Sequence, residues 1–258
     1  VANLKTTRSI VGQNVKIMTV VKANAYGQGA VEIAKVAIRN GADRLAVATL
    51  DEAVQLREAG IKQPILVLGT NIPGDGVETA IRQDITQALC TKELAEALSS
   101  SAEKQNKKAL VHLKVDTGMS RIGVRPGDAL QFMKEVNSYP GITFEGVFSH
   151  FAAADNVHDS SYTALQLTRF KKTVSQLEQE GYHFPLRHIA NSAAILSYPE
   201  AYLDMVRPGC ILYGSLPVPN IKKQSAFKPT IALKTRIVYL KRVPKDTPVS
   251  YGLTYKTS

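Results

Sequence analysis

The chain reads as an α/β protein: a (β/α)8 barrel of the TIM type, followed by the beginning of a C-terminal β domain. Three observations predict this. From residue 16 onward, short β-branched runs alternate with amphipathic stretches, the mark of a βα repeat. Eight such units follow one another before residue 215, the number that closes a barrel. After Gly214 the pattern turns into a long period-two alternation with no helix behind it. A doubly wound open sheet is the structural alternative, but it needs a ligand site at a switch point, and no glycine fingerprint follows the first strand.

The units run in order. The first strand is expected over 17–21, then a glycine-containing loop and a helix over about 30–40. A second strand, 44–48, leads to a helix over 52–59 that Asp51 starts and Gly60 stops. Strand 64–68 precedes a helix around 76–82. Strand 86–90 precedes a helix capped by Thr91, with Glu93 in its first turn. Strand 109–115 is the fifth, and Pro126 is placed to open the next helix, where its missing N–H costs nothing. Strand 144–149 and a long helix over 161–180 follow, then strands 186–190 and 205–206. Leu216-Pro217-Val218-Pro219-Asn220 reads as a linker, and 230–240 as a first β-domain strand. The domains are thus expected at 1–215 and 216–258. Two strands cannot bury a core, so the chain is expected to be a piece of a longer protein, with a short N-terminal stretch also missing.

At 258 residues, with 44% apolar and 21% charged residues, the composition is that of a globular protein. No apolar run is long enough to cross a bilayer, and no charged-then-apolar leader is present in what is shown. Cys90 and Cys210 read as small core residues of a reducing, cytoplasmic protein rather than a disulfide or metal pair. The net charge of +10 comes from 32 scattered basic residues. Lys107-Lys108, Lys171-Lys172 and Lys222-Lys223 are isolated pairs with no aromatic stacking platform, which argues against nucleic acid. A basic surface would attract an anionic cofactor and a substrate carboxylate.

Barrel geometry collects the strand ends on one rim. Strand one ends in Lys22, followed by Ala23-Asn24-Ala25-Tyr26-Gly27. A lysine at the mouth of a buried strand has an apolar stem and an amine facing a pocket. Desolvation there lowers its pKa, as a Schiff-base lysine requires, whereas most strand-end lysines only reach back to water. Strand five ends in Lys114-Val115-Asp116-Thr117-Gly118-Met119-Ser120-Arg121, strand six in Ser149-His150-Phe151, strand seven in His188-Ile189-Ala190-Asn191-Ser192, and strand eight in Arg207-Pro208-Gly209-Cys210. Each alone has an ordinary explanation: a structural histidine, a turn, a helix cap. His112, His158 and His183 are read that way.

Together these stretches resemble the alanine racemase family along almost the whole chain. Val-Val-Lys-Ala-Asn-Ala-Tyr-Gly resembles its pyridoxal-phosphate lysine motif, and the strand-five to strand-eight motifs recur in order. The resemblance implies that Lys22 carries pyridoxal 5'-phosphate covalently. Tyr26, Ser192 and the N–H groups of Gly209 and Cys210 would hold the phosphate, with Asn191 supporting that wall. Arg121 would approach the cofactor phenolate and the substrate carboxylate. Lys114, often carboxylated in the family, would position Arg121. Arg207 would stand at the pyridine nitrogen, where many such enzymes place a carboxylate. A guanidinium gives up no proton, so the ring is a weaker electron sink, and a proton taken from the α-carbon returns to the same carbon. That favours racemisation over transamination. His150 and His188 would orient Arg207.

Racemisation needs a base on each face. The resemblance implies Lys22 for one face and Tyr251, in Val249-Ser250-Tyr251-Gly252, for the other. That tyrosine would reach into the second subunit of a homodimer with shared active sites. A tyrosine titrates near pH ~10, so a cation such as Arg121 must stabilise its phenolate. The implied activity is interconversion of L- and D-alanine, with D-alanine supplied for peptidoglycan. The alternatives are a serine racemase of the same fold and a non-catalytic single-barrel cofactor carrier, against which residues 230–255 speak. A decarboxylase on this barrel would place an acid where Arg207 stands.

Overall fold

The computed structural model describes residues 1–72, 74, 76–156, 158–218 and 226–258. Eight parallel strands form one sheet: β1 (Lys16–Val20), β2 (Arg44–Val47), β3 (Ile65–Val67), β4 (Thr86–Leu89), β5 (Ala109–Lys114), β6 (Ile142–Phe148), β7 (Leu186–His188) and β8 (Met205–Val206). The pairing order is β7-β6-β5-β4-β3-β2-β1-β8. At the seam between β7 and β8, the Asp204 N–H donates to the Arg187 carbonyl and the Arg207 N–H to the Ala190 carbonyl. The Arg187 side chain also grips Asp204 at 2.7 Å. The sheet is therefore a nearly closed barrel, as expected.

The helices are α1 (Ala2–Val11), α2 (Lys22–Gly27), α3 (Ala30–Arg39), α4 (Leu50–Glu58), α5 (Val77–Arg82), α6 (Lys92–Lys104), α7 (Ala129–Val136), α8 (Ser161–Gln179) and α9 (Ser192–Ser197). Helix α1 escaped sequence reading because half of its buried face is polar: Asn3 and Thr7 are buried with Leu4 and Val11. Asn3 donates to the Leu212 and Lys228 carbonyls, so a polar side chain does the packing that an apolar period would have announced. Helix α4 is capped by Thr49, not Asp51. Thr49 accepts from the Glu52 N–H, and Glu52 returns a bond to the cap, a complete capping box. Pro126 does not open α7: it sits in a turn closed by Asp128 N–H on the Arg125 carbonyl, and α7 starts at Ala129. Thr91 caps α6 as expected.

Apolar residues fill the space between sheet and helices, while Met18, Val20, Ala46, Leu66, Leu186 and Met205 pack together inside the barrel. The expected strand over 230–240 is not formed. Leu233 is 99% exposed, and those residues have no partner strand, which an alternating sequence needs before it becomes sheet. The C-terminal sheet consists of β9 (Pro248–Val249) paired antiparallel with β10 (Tyr255–Lys256). Pro219 and Asn220 of the expected linker, and the Lys222-Lys223 pair, lie outside the described residues. Among the described residues, no helix is long and apolar enough to cross a membrane.

Candidate active site

A cavity of about 310 Å³ opens at the C-terminal ends of the barrel strands, a size suited to a small ligand. Lys22, Tyr26, His150 and Arg207 border it, as do Asn191, Ser192, Gly209 and Cys210. Eight residues singled out in the sequence thus converge. Lys114 and His188 lie beneath them, buried in the barrel. Arg121 and Tyr251 are exposed and do not border the cavity.

Lys22 begins α2 directly after the buried Val21. It is half-buried, not enclosed as expected. The following residues form a left-handed turn: Ala23, Asn24, Ala25 and Tyr26 have φ of 51°, 52°, 54° and 55°. L-residues pay about 1–2 kcal/mol each for this conformation, and such strain collects at functional sites. The surroundings hold it: Asn24 accepts from the Gly29 and Ala30 N–H groups, and Glu52 accepts from the Ala23 N–H. The turn carries the Tyr26 hydroxyl towards Gly209, where a Cβ would lie 2.6 Å from that oxygen. Ala23 is exposed, so Ala23→Gly relieves strain without leaving a hole. It is expected to stabilise the fold by about 0.5–1 kcal/mol after the extra unfolded-state entropy of glycine, measured by urea denaturation, and Ala23→Val should destabilise it.

Elsewhere in the lining, the Ser192 hydroxyl accepts from the Gly209 N–H at 2.9 Å. Asn191 caps α9 by accepting from Ala194 N–H at 3.0 Å. Arg207, only 2% exposed, donates through Nη1 to His188 Nδ1 at 2.7 Å and through Nη2 to the Ser149 carbonyl at 2.7 Å. Nη2 also meets His150 Nδ1 at 3.1 Å and the Ile189 carbonyl at 3.2 Å. Its buried Nε–H has no acceptor, and among the described residues no carboxylate pairs with it. Burial lowers its pKa to about 9, which still leaves it charged at neutral pH. Burial, with Arg207 next in weight, holds His150 and His188 well below the ordinary imidazole value, so both are neutral.

The deeply desolvated amine is that of Lys114, 4% exposed and 4.5 Å from the Phe148 ring. Burial first, then the charges of Arg207 and Arg121, bring it down to about 7. Its folded pKa lies below the unfolded one, so this cost to stability is full below pH 7 and fades as pH rises towards ~10.5.

Sequence reading missed Gln166. It is fully buried, donates to the His150 carbonyl and Thr117 Oγ1, and accepts from Ala152 N–H, tying together the loops after β5 and β6. Its signal was a glutamine on the apolar face of α8, between Thr163 and Phe170. Within the first of those loops, Asp116 accepts from the Gly118, Met119 and Ser120 N–H groups, which shapes the segment that ends in Arg121. Both cysteines are free thiols, half-buried and packed against the main core.

The model for the alanine racemase N-terminal domain matches residues 1–217. The chain belongs to the alanine racemase family. An alanine racemase of Desulforamulus reducens is 47% identical over 255 residues, covering 98% of this chain and 68% of that protein. One from Halothermothrix orenii is 46% identical, with 99% and 67% covered. Among solved structures, an alanine racemase of Clostridium difficile 630 superposes with a TM-score of 0.91 at 39% identity. It covers 99% of this chain and 67% of its own. One from Streptomyces lavendulae superposes at 0.92 and 34% identity. The chain thus spans about two thirds of the length of the family members it matches.

Proposed function

We propose that this chain is the cofactor-binding part of an enzyme that interconverts L- and D-alanine. The observation that carries the reading is Arg207: a buried, charged guanidinium with an unpaired Nε–H beside the cavity. A carboxylate in that place would protonate a ring nitrogen, whereas an arginine can only donate to it. The cavity fits pyridoxal phosphate, the cofactor of the family, on two counts. Arg207 Nε lacks the acceptor that a pyridine nitrogen would be, and Gly209 leaves open the space that a Cβ would take beside the Tyr26 hydroxyl.

The roles follow from position. Lys22 attaches the cofactor, and the Tyr26 and Ser192 hydroxyls with the backbone of Gly209 and Cys210 hold its phosphate; Asn191 keeps that wall in shape. When bound, the cofactor acidifies the substrate's α-proton by withdrawing electrons through the amino nitrogen. Arg207 limits that withdrawal, so that the proton is returned to the carbon it left. The neutral His150 and His188 accept from Arg207 and fix its plane. Lys22 moves the proton on one face. The half-neutral amine of Lys114 is nucleophilic towards carbon dioxide at neutral pH, which supports its carboxylation and an ion pair with Arg121, the partner of the substrate carboxylate.

Tyr251 serves the other face, from the second subunit of a homodimer with shared active sites. Its full exposure, and its absence from the lining of its own chain's cavity, support this assignment. The domain boundary falls at 215/216, and the product is D-alanine for peptidoglycan, made in the cytoplasm. Tyr251→Phe is expected to slow the two directions unequally, by about 10²-fold or more in the one it serves, with cofactor absorbance retained. Equal, unchanged rates would remove Tyr251 from the mechanism. The test of the whole reading is α-proton exchange in deuterated water by the cofactor-loaded, intact protein. Alanine should exchange faster than serine; no exchange from either would overturn the proposal.

A further inference from the structure

Barrel interiors of this kind are packed with branched apolar side chains, yet a polar column runs up this one. At its foot Glu145 accepts from Arg44 Nη1 and Nη2, at 3.0 and 3.2 Å, and from Thr86 Oγ1 at 3.1 Å. His112 Nε2 stands 3.8 Å from Glu145 Oε2, an electrostatic contact too long for a hydrogen bond. His112 Nδ1 lies 2.8 Å from His188 Nε2, and His188 Nδ1 lies 2.7 Å from Arg207 Nη1. Two strands, β5 and β6, are shaped around these rings. The β5–β6 register slips by one between Val111 and His112, making Glu145 the extra residue of a bulge. Gly146 has no Cβ where one would lie 2.7 Å from His112 Nδ1. Phe148 stacks on His188 at 5.0 Å and 3°.

The direction of every proton in the column follows from its arginine end. Arginine only donates, so His188 Nδ1 is an acceptor and its proton sits on Nε2. That proton is donated to His112 Nδ1, which leaves the His112 proton on Nε2, facing the carboxylate of Glu145. We propose that Glu145 and His112 are positioning residues for the reaction. They take up the His188 Nε2 proton and fix the ring that accepts from Arg207, and so hold the guanidinium at the wall of the cavity. Burial keeps both imidazoles neutral, and the His112 and Arg44 side chains keep Glu145 ionised, at about 2, so the column has one arrangement across the neutral range. A half-satisfied network would cost stability, and the one imperfect link, at His112 Nε2, faces a full negative charge.

The inference rests on the assignment of Arg207 to the cofactor ring, but its test does not. The intact protein, free of cofactor and labelled with ¹⁵N-histidine, should show His112 and His188 neutral and protonated on Nε2 from pH 6 to 8. A proton on Nδ1 of His188, or a charged ring, overturns the proposal whatever the enzyme's activity. In the loaded enzyme, His112→Leu removes the acceptor and should lower kcat by about 10²-fold, with KM little changed. His112→Asn restores an acceptor and should recover most of that loss. Glu145→Gln, nearly isosteric, should lower kcat about tenfold while His112 keeps its proton on Nε2, the tautomer that the Arg207 end already requires. Equal kcat in the Leu and Asn variants, or an unchanged kcat in Glu145→Gln, would show that the column only fills space. Absence of exchange in the parent enzyme would instead refute the racemase reading while leaving the tautomers to be judged by their own spectra.

Discussion

Lys22→Ala is expected to lower alanine exchange by about 10⁴-fold or more, because one substitution removes both the covalent anchor and one of the two bases. Folding should change by less than about 0.5 kcal/mol. Lys22 is half-buried, and its side chain makes no hydrogen bond or ion pair within the described residues. The strained turn after it is held by backbone groups, Asn24 and Glu52 rather than by the amine. The measurements are exchange into deuterated water, the visible absorbance of bound cofactor and the urea midpoint. A variant that still carries cofactor in a linkage reducible by borohydride would sink the assignment of Lys22.

Arg207→Lys tests the other pole of the site. It keeps a cation but loses the planar fork that spans the Ser149 and Ile189 carbonyls and two imidazoles, and at such sites the exchange is not conservative. Loss of one preorganised donor costs roughly 10²–10³ in kcat. The pH dependence carries the sign. An amine in this place is desolvated as Lys114 is, and Lys114 is brought down to about 7. The variant should therefore lose its charge, and more of its activity, as pH rises through neutrality. The parent's guanidinium keeps its proton over that range. Parallel pH–rate profiles for the two proteins would show that the charge of Arg207 takes no part.

The barrel was legible in the chain because each unit pairs a short β-branched run with an amphipathic helix, and those periods are local. Strand ends fell within one or two residues of expectation, since the last ladder bond is a matter of partner and not of propensity. Helix α1 was hidden by Asn3 and Thr7: the backbone of distant Leu212 and Lys228 satisfies Asn3, and the Thr7 hydroxyl donates to the Asn3 carbonyl. The run over 230–240 misled in the opposite direction: its alternation is that of a strand, but a strand is completed by a neighbour.

The residues of the rim were named from the sequence by their motifs, and the order of the strands brings most of them to one cavity. Their electrostatic state was not legible. Which lysine is desolvated depends on depth in the barrel, and the structure buries Lys114 beneath the rim while leaving Lys22 half-open. Gln166, His112 and Glu145 carried no motif, because their partners lie on other strands and helices. Periodicity along the chain determined the architecture and the list of chemically capable side chains. Only tertiary packing decided which of them lose water, which face one another and which way their protons point, because desolvation and hydrogen-bond geometry belong to neighbours far away in sequence.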